Sequence, residues 1–79
     1  MQKEFSEKAI NDNSCELRLG TASWDDGSGT RKSIKYTWFT KDGKAARGGE
    51  FPVEAIPQAL DFAIRKGYLH CELKGVSLI

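Results

Sequence analysis

RKSIKYTWFTK, residues 31–41, places Ile34, Tyr36 and Trp38 on one parity and Arg31, Ser33, Lys35, Thr37, Phe39 and Lys41 on the other. A period of two marks a pleated strand whose two faces meet different surroundings. The even face is the more apolar and is expected to be covered. The odd face, with its cations and Phe39, is expected to meet water.

The flanking residues punctuate this strand on both sides. Lys41-Asp42-Gly43-Lys44 carries the Asp-Gly pair typical of tight turns between strands. On the other side, DDGSGT (25–30) supplies glycines for positive φ and aspartates for local side-chain-to-backbone bonds, as a hairpin loop requires. Before that loop, Cys15, Leu17 and Leu19 alternate with Glu16 and Arg18, and the pattern runs on through Trp24. Gly20 marks a bulge or bend within it. After the Asp-Gly turn, residues 45–53 form a weaker strand with Phe51 and Val53 on one face. Pro52 has no N–H to donate, so this strand is expected to lie at an edge or to end there.

Residues 54–66, EAIPQALDFAIRK, carry Ile56, Leu60, Ala63 and Ile64 at helical spacing, with Ala59 and Phe62 widening the stripe. Pro57 fits a helix only in its first turn, and Gly67 suits a left-handed cap at its end. Residues 68–74 alternate again, with Leu69, Cys71 and Leu73 on one side, so a last strand is expected to join this sheet or a partner's. Val76, Leu78 and Ile79 make an apolar tail. The first fourteen residues are polar and weakly helical, and Asn11, Asp12, Asn13 and Ser14 end any helix there by competing for backbone hydrogen bonds. The expectation is a loosely held arm over residues 1–14 and one α+β domain over 15–79. That domain is a curved antiparallel sheet of three to five strands, packed on one face by one helix.

The 79 residues suffice for a single domain, which hides only about 60% of the surface of its unfolded chain. No apolar run approaches the roughly 18 residues that cross a bilayer, and the N-terminus lacks the apolar core of a signal peptide. A cytoplasmic location with no membrane contact is therefore expected. Net charge is +1, but residues 31–47 hold Arg31, Lys32, Lys35, Lys41, Lys44 and Arg47 against Asp42 alone, a local excess of +5. This asymmetry is the informative quantity.

Pairing of the two strands through DDGSGT would gather Arg18, Trp24, Lys35 and Phe39 on the uncovered face, with Arg31 and Lys41 on the same parity. Cations that neutralise phosphate beside rings that stack on unpaired bases are the composition of a single-stranded nucleic-acid surface. Exposed lysines also protect strands from edge-to-edge association, and exposed rings also cover protein interfaces.

The run from Ile34 to Leu60 resembles the positive cofactor four (p15) transcriptional coactivator family. It shares a basic and aromatic strand (IKYTWF), a charged turn (KDGKAAR), a short strand after glycines (GGEFPVE) and a single amphipathic helix. The resemblance implies a curved antiparallel sheet backed by the helix, a homodimer, and single-stranded DNA bound on the basic face. It places Lys35 and Trp38 where the family has its DNA-contacting basic residue and tryptophan, and Arg47 near the family's basic residue before the glycine. Strand alternation alone sends Trp38 to the covered face instead, unless a bulge resets the register. The chain also continues into YLHCELKGVSLI, past the helix that ends the family's domain.

Catalysis is poorly served by this inventory, with one histidine, no phosphate-cradling glycine loop and no nucleophile elbow. No cofactor is implied. His70 and Cys71 point to opposite sides of an extended strand, so they do not share a metal, and both cysteines read as small buried hydrophobes. The rival reading is a protein-interaction module, such as a phage-borne or mobile-element inhibitor or a subunit of a complex.

Overall fold

In the computed structural model, which describes residues 1–46, 48–72 and 75–78, the strand quoted at the outset sits inside a four-stranded antiparallel sheet. Its strands β1 (Gln2–Lys8), β2 (Glu16–Thr21), β3 (Lys32–Thr37) and β4 (Glu50–Pro52) are ordered β1-β2-β3-β4, each beside its neighbour in sequence. A 3-10 turn, Val53–Ala55, leads into the helix α1 (Ile56–Arg65), and β5 (Leu69–Glu72) pairs with β6 (Gly75–Leu78) in a separate two-stranded sheet. One helix with antiparallel sheets makes the fold α+β, as expected.

Residues 2–8 are not a loose arm. They form β1, an edge strand whose seven residues are all exposed, so the chain spends no apolar signal on it beyond Phe5. The bulge that Gly20 suggests lies on this partner strand: pairing runs Lys3↔Gly20 and then Phe5↔Leu19, with Glu4 extra. Backbone presses against backbone there. A Cβ at Gly20 would collide with the Gln2 carbonyl oxygen and stand 2.8 Å from the Glu4 nitrogen, so the position requires glycine.

The loops follow the expected turn chemistry. Asp25 accepts the backbone N–H groups of Gly27, Gly29 and Arg31 at 2.9, 2.9 and 3.1 Å, closing the loop between β2 and β3. Those bonds, the one from Gly29 foremost, hold its carboxyl below the usual aspartate range. Gly43 adopts φ 77° in the Asp-Gly turn. Beyond β3 an isolated bridge joins Phe39 to Ala45, and β4 is shorter than the sequence suggests. It lies at the sheet edge and ends at Pro52, as expected.

Pro57 lies in the first turn of α1. At the other end Gly67 takes φ 84°, its N–H bonds to Ile64 O, and the N–H of Tyr68 bonds to Ala63 O, each at 3.0 Å. This is a Schellman closure. The helix lies against the 3-10 turn and β5 and meets the sheet at β4, where Phe51, Ala55, Ala59 and Phe62 flank a groove of about 320 Å³. No residue of α1 lines the groove along the middle of the even face, which is bounded by Phe5, Leu17, Leu19 and Ile34.

Burial departs from expectation. Ile34 and Tyr36 on the even face are half-buried, whereas the fully buried side chains of β3 are Ser33 and Thr37 on the odd face. These two are short and lie low between longer neighbours on the same face. Ser33 donates to Glu50 Oε1 at 2.8 Å, but Thr37 Oγ1 has no hydrogen-bond partner among the described residues. Cys15 is buried as expected, whereas Cys71, which alternation also sends to a covered side, is exposed. Leu73 and Ile79 lie outside the described residues. No helix among those described is long and apolar enough to cross a membrane.

Candidate nucleic-acid interface

The odd face of the sheet is built from positions that pair directly across strands, since paired residues share a face. Arg18 of β2 stands opposite Lys35 of β3, and Lys35 stands opposite Glu50 of β4. On the other side Ser6 and Lys8 of β1 pair with Arg18 and Glu16, and Lys3 with Gly20. Two cations face each other at the centre of this surface.

Their environments differ. Arg18 Nε donates to Glu16 Oε1 at 2.6 Å, and Lys3 Nζ lies 3.6 Å from the same oxygen. The Arg18 hydrogen bond, more than the burial that opposes it, holds the Glu16 carboxyl below the usual glutamate range. The Arg18 guanidinium also lies 5.7 Å from the centre of the Phe39 ring, in cation–π contact. Lys35 has no ion-pair partner among the described residues. Glu50, the acid opposite it, turns away to accept Ser33 Oγ at 2.8 Å and the Ser23 N–H at 3.0 Å. Burial pushes the Glu50 carboxyl up, but the bonds from Ser23 and Ser33 outweigh it and hold it below its ordinary value.

Gly48 packs tightly against this part of β3. A Cβ there would collide with the Tyr36 carbonyl oxygen and would lie 3.3 Å from Lys35 Cε and 3.4 Å from Trp38 Cζ3. Glycine is therefore required there, and its backbone borders both the lysine stem and the indole. Trp38 stacks edge-on against Tyr36, two residues back on the even side, with ring centres 5.1 Å apart, and is 49% exposed. It is thus a rim residue: alternation starts its ring on the even side, and the ring edge and the Lys35 stem both border the Gly48 backbone.

Of the residues expected to form the surface, Arg18, Lys35 and Phe39 come together and Trp38 borders them. Trp24 and Arg31 do not join this group. Trp24 lies exposed in the turn after β2, and Arg31 lies at the start of β3 with its N–H on Asp25, both at one end of the sheet. Lys41 lies in the turn at the other end, the length of β3 away. Arg47 lies outside the described residues. Two further cations on the odd face, Lys3 and Lys8, escaped sequence reasoning because β1 was read as an arm. The signal that could have found them is Gly20, whose bulge requires a strand to press against it.

The chain matches no known family model, no curated protein and no solved structure.

Proposed function

We propose that this is a non-enzymatic, cytoplasmic single-stranded nucleic-acid-binding protein that uses the odd face of its sheet, in the manner of the transcriptional coactivators it resembles. The observation that carries the reading is Lys35, without an ion-pair partner among the described residues, paired across the strands with Arg18, whose guanidinium lies over the exposed Phe39 ring. Phosphates would sit between the two cations, and Phe39 and Trp38 would stack on bases at about 1–3 kcal/mol each. Recognition of this kind is tolerant of sequence, since every base has a stacking face.

Trp38, on the rim of this surface, reports on binding through the tryptophan fluorescence of the chain. Titration with oligo-dT at several salt concentrations is expected to quench it, with log affinity falling linearly in log salt. Lys35→Glu is expected to weaken binding, to reduce that slope by about 1, and to leave the melting temperature unchanged. Absence of quenching at low salt with excess oligonucleotide would transfer the protein to the class of protein-interaction modules, a reading favoured by its open apolar groove.

A further inference from the structure

An acid stands among the cations of the odd face. Glu16 lies between Lys8 of β1 and Thr37 of β3, its direct partners across the strands, and Arg18 follows it on the same face of β2. Glu16 Oε1 accepts the Arg18 Nε hydrogen at 2.6 Å and has Lys3 Nζ at 3.6 Å. Each side chain of the Arg18–Glu16 pair is 22% exposed, so water screens the bond less than it screens an open surface pair. A carboxylate oxygen on a guanidinium N–H is the same charge-assisted contact that a phosphate oxygen makes. Any phosphate that takes Arg18 therefore competes with an acid already in place.

The surroundings of Glu16 also offer it a second set of partners. Lys3 already shares its oxygen. Lys8, opposite it on β1, makes no ion pair among the described residues. Thr37, opposite it on β3, carries the buried hydroxyl that has no hydrogen-bond partner among them. A buried hydroxyl without a partner is costly, and one placed directly across from a carboxylate has an acceptor within reach if that carboxylate turns. We propose that Glu16 is a built-in competitor for the nucleic-acid surface: in the free protein it holds Arg18 as a phosphate would, and in the bound protein a strand phosphate takes Arg18 while Glu16 turns to Lys3, Lys8 and Thr37. The exchange leaves no carboxylate unpaired, which keeps the displacement within the reach of a single phosphate contact. Glu50, the other acid of this face, is not free to play this part, because Ser23 and Ser33 hold it. This role rests on the nucleic-acid reading of the odd face and adds to it the residue that sets the affinity.

In tryptophan-fluorescence titrations with oligo-dT, Glu16→Gln is expected to bind about fivefold tighter than the wild type in about 0.1 M salt, with a salt slope steeper by about 0.7, the value of one more neutralised phosphate on a single strand. In a double-mutant cycle, Arg18→Ala is expected to cost the Glu16→Gln protein about five times more affinity than it costs the wild type. A carboxylate that only positioned Arg18 would make Glu16→Gln the weaker binder, and that result, or an unchanged affinity and slope, would overturn the proposal. The NMR signal of the Arg18 Nε–H follows the exchange in the wild-type chain without any substitution. It is expected to shift on titration with inorganic tripolyphosphate, a polyanion that carries no bases; a signal that stays fixed while the anion binds would also overturn the proposal. The same probe separates the competitor from the function it serves. If oligo-dT does not bind but tripolyphosphate moves the Arg18 signal and binds Glu16→Gln more tightly, the competitor stands and the nucleic-acid reading falls. If oligo-dT binding depends on Lys35 and Glu16→Gln brings no gain, the competitor falls and that reading stands. If neither anion binds, both fall.

Discussion

Thr37 carries the one buried side-chain hydroxyl without a partner among the described residues. An unsatisfied buried polar group costs about 1–3 kcal/mol, while valine has nearly the same shape and nothing to satisfy. Thr37→Val is therefore expected to stabilise the protein by about 1 kcal/mol, read as a rise of several degrees in thermal melting. Thr37 also shows where sequence reasoning stops. Alternation correctly assigned it to the odd face with Lys35 and Phe39, but burial depends on side-chain length as well as on face. Short residues between Arg18, Glu16 and Phe39 are shaded by their neighbours, and a parity rule contains no such information. Trp38 departs for a related reason. Its face follows from alternation, yet the packing of its ring edge depends on the close approach of the Gly48 backbone, ten residues away.

Among the elements, β2, β3, the Asp-Gly turn and α1 were legible because each carries a periodicity with punctuation at its ends. The first strand was not. Six of its seven residues are polar, and its stability comes from backbone pairing with β2 and from side-chain pairs such as Lys32 with Glu4 and Lys3 with Glu16. Such support is invisible to a search for apolar alternation. Gly20→Ala tests how far β1 depends on close approach: the added methyl has no room against Gln2 and Glu4. The expected result is a loss of about 1–3 kcal/mol, with faster amide exchange confined to residues 2–8 and their partners on β2. Uniform loss of protection across the sheet would instead mean that β1 and the central strands open as one unit.

For the molecule as a whole, several carboxyls are held below their ordinary range, among them Glu4 by Lys32, Glu16 by Arg18, Asp25 by loop N–H groups and Glu50 by Ser23 and Ser33. Each binds a proton less readily folded than unfolded, so acidification favours the unfolded chain. Stability from these groups is complete above the ordinary carboxylate range and is lost as pH falls through and below it. Thermal melts are expected to be flat from pH 7 down to about 5 and to fall steeply below about 4.

The order β1-β2-β3-β4 has a kinetic consequence. Every pairing in the sheet joins strands consecutive along the chain, so hairpins can zip one after another without a long crossover, and a low contact order favours rapid folding. Leu17, Leu19 and Ile34 are left half-buried, and among the described residues no segment after β3 lines the groove they bound. Refolding of the sheet is therefore expected to run in a single fast phase whose rate does not change with protein concentration.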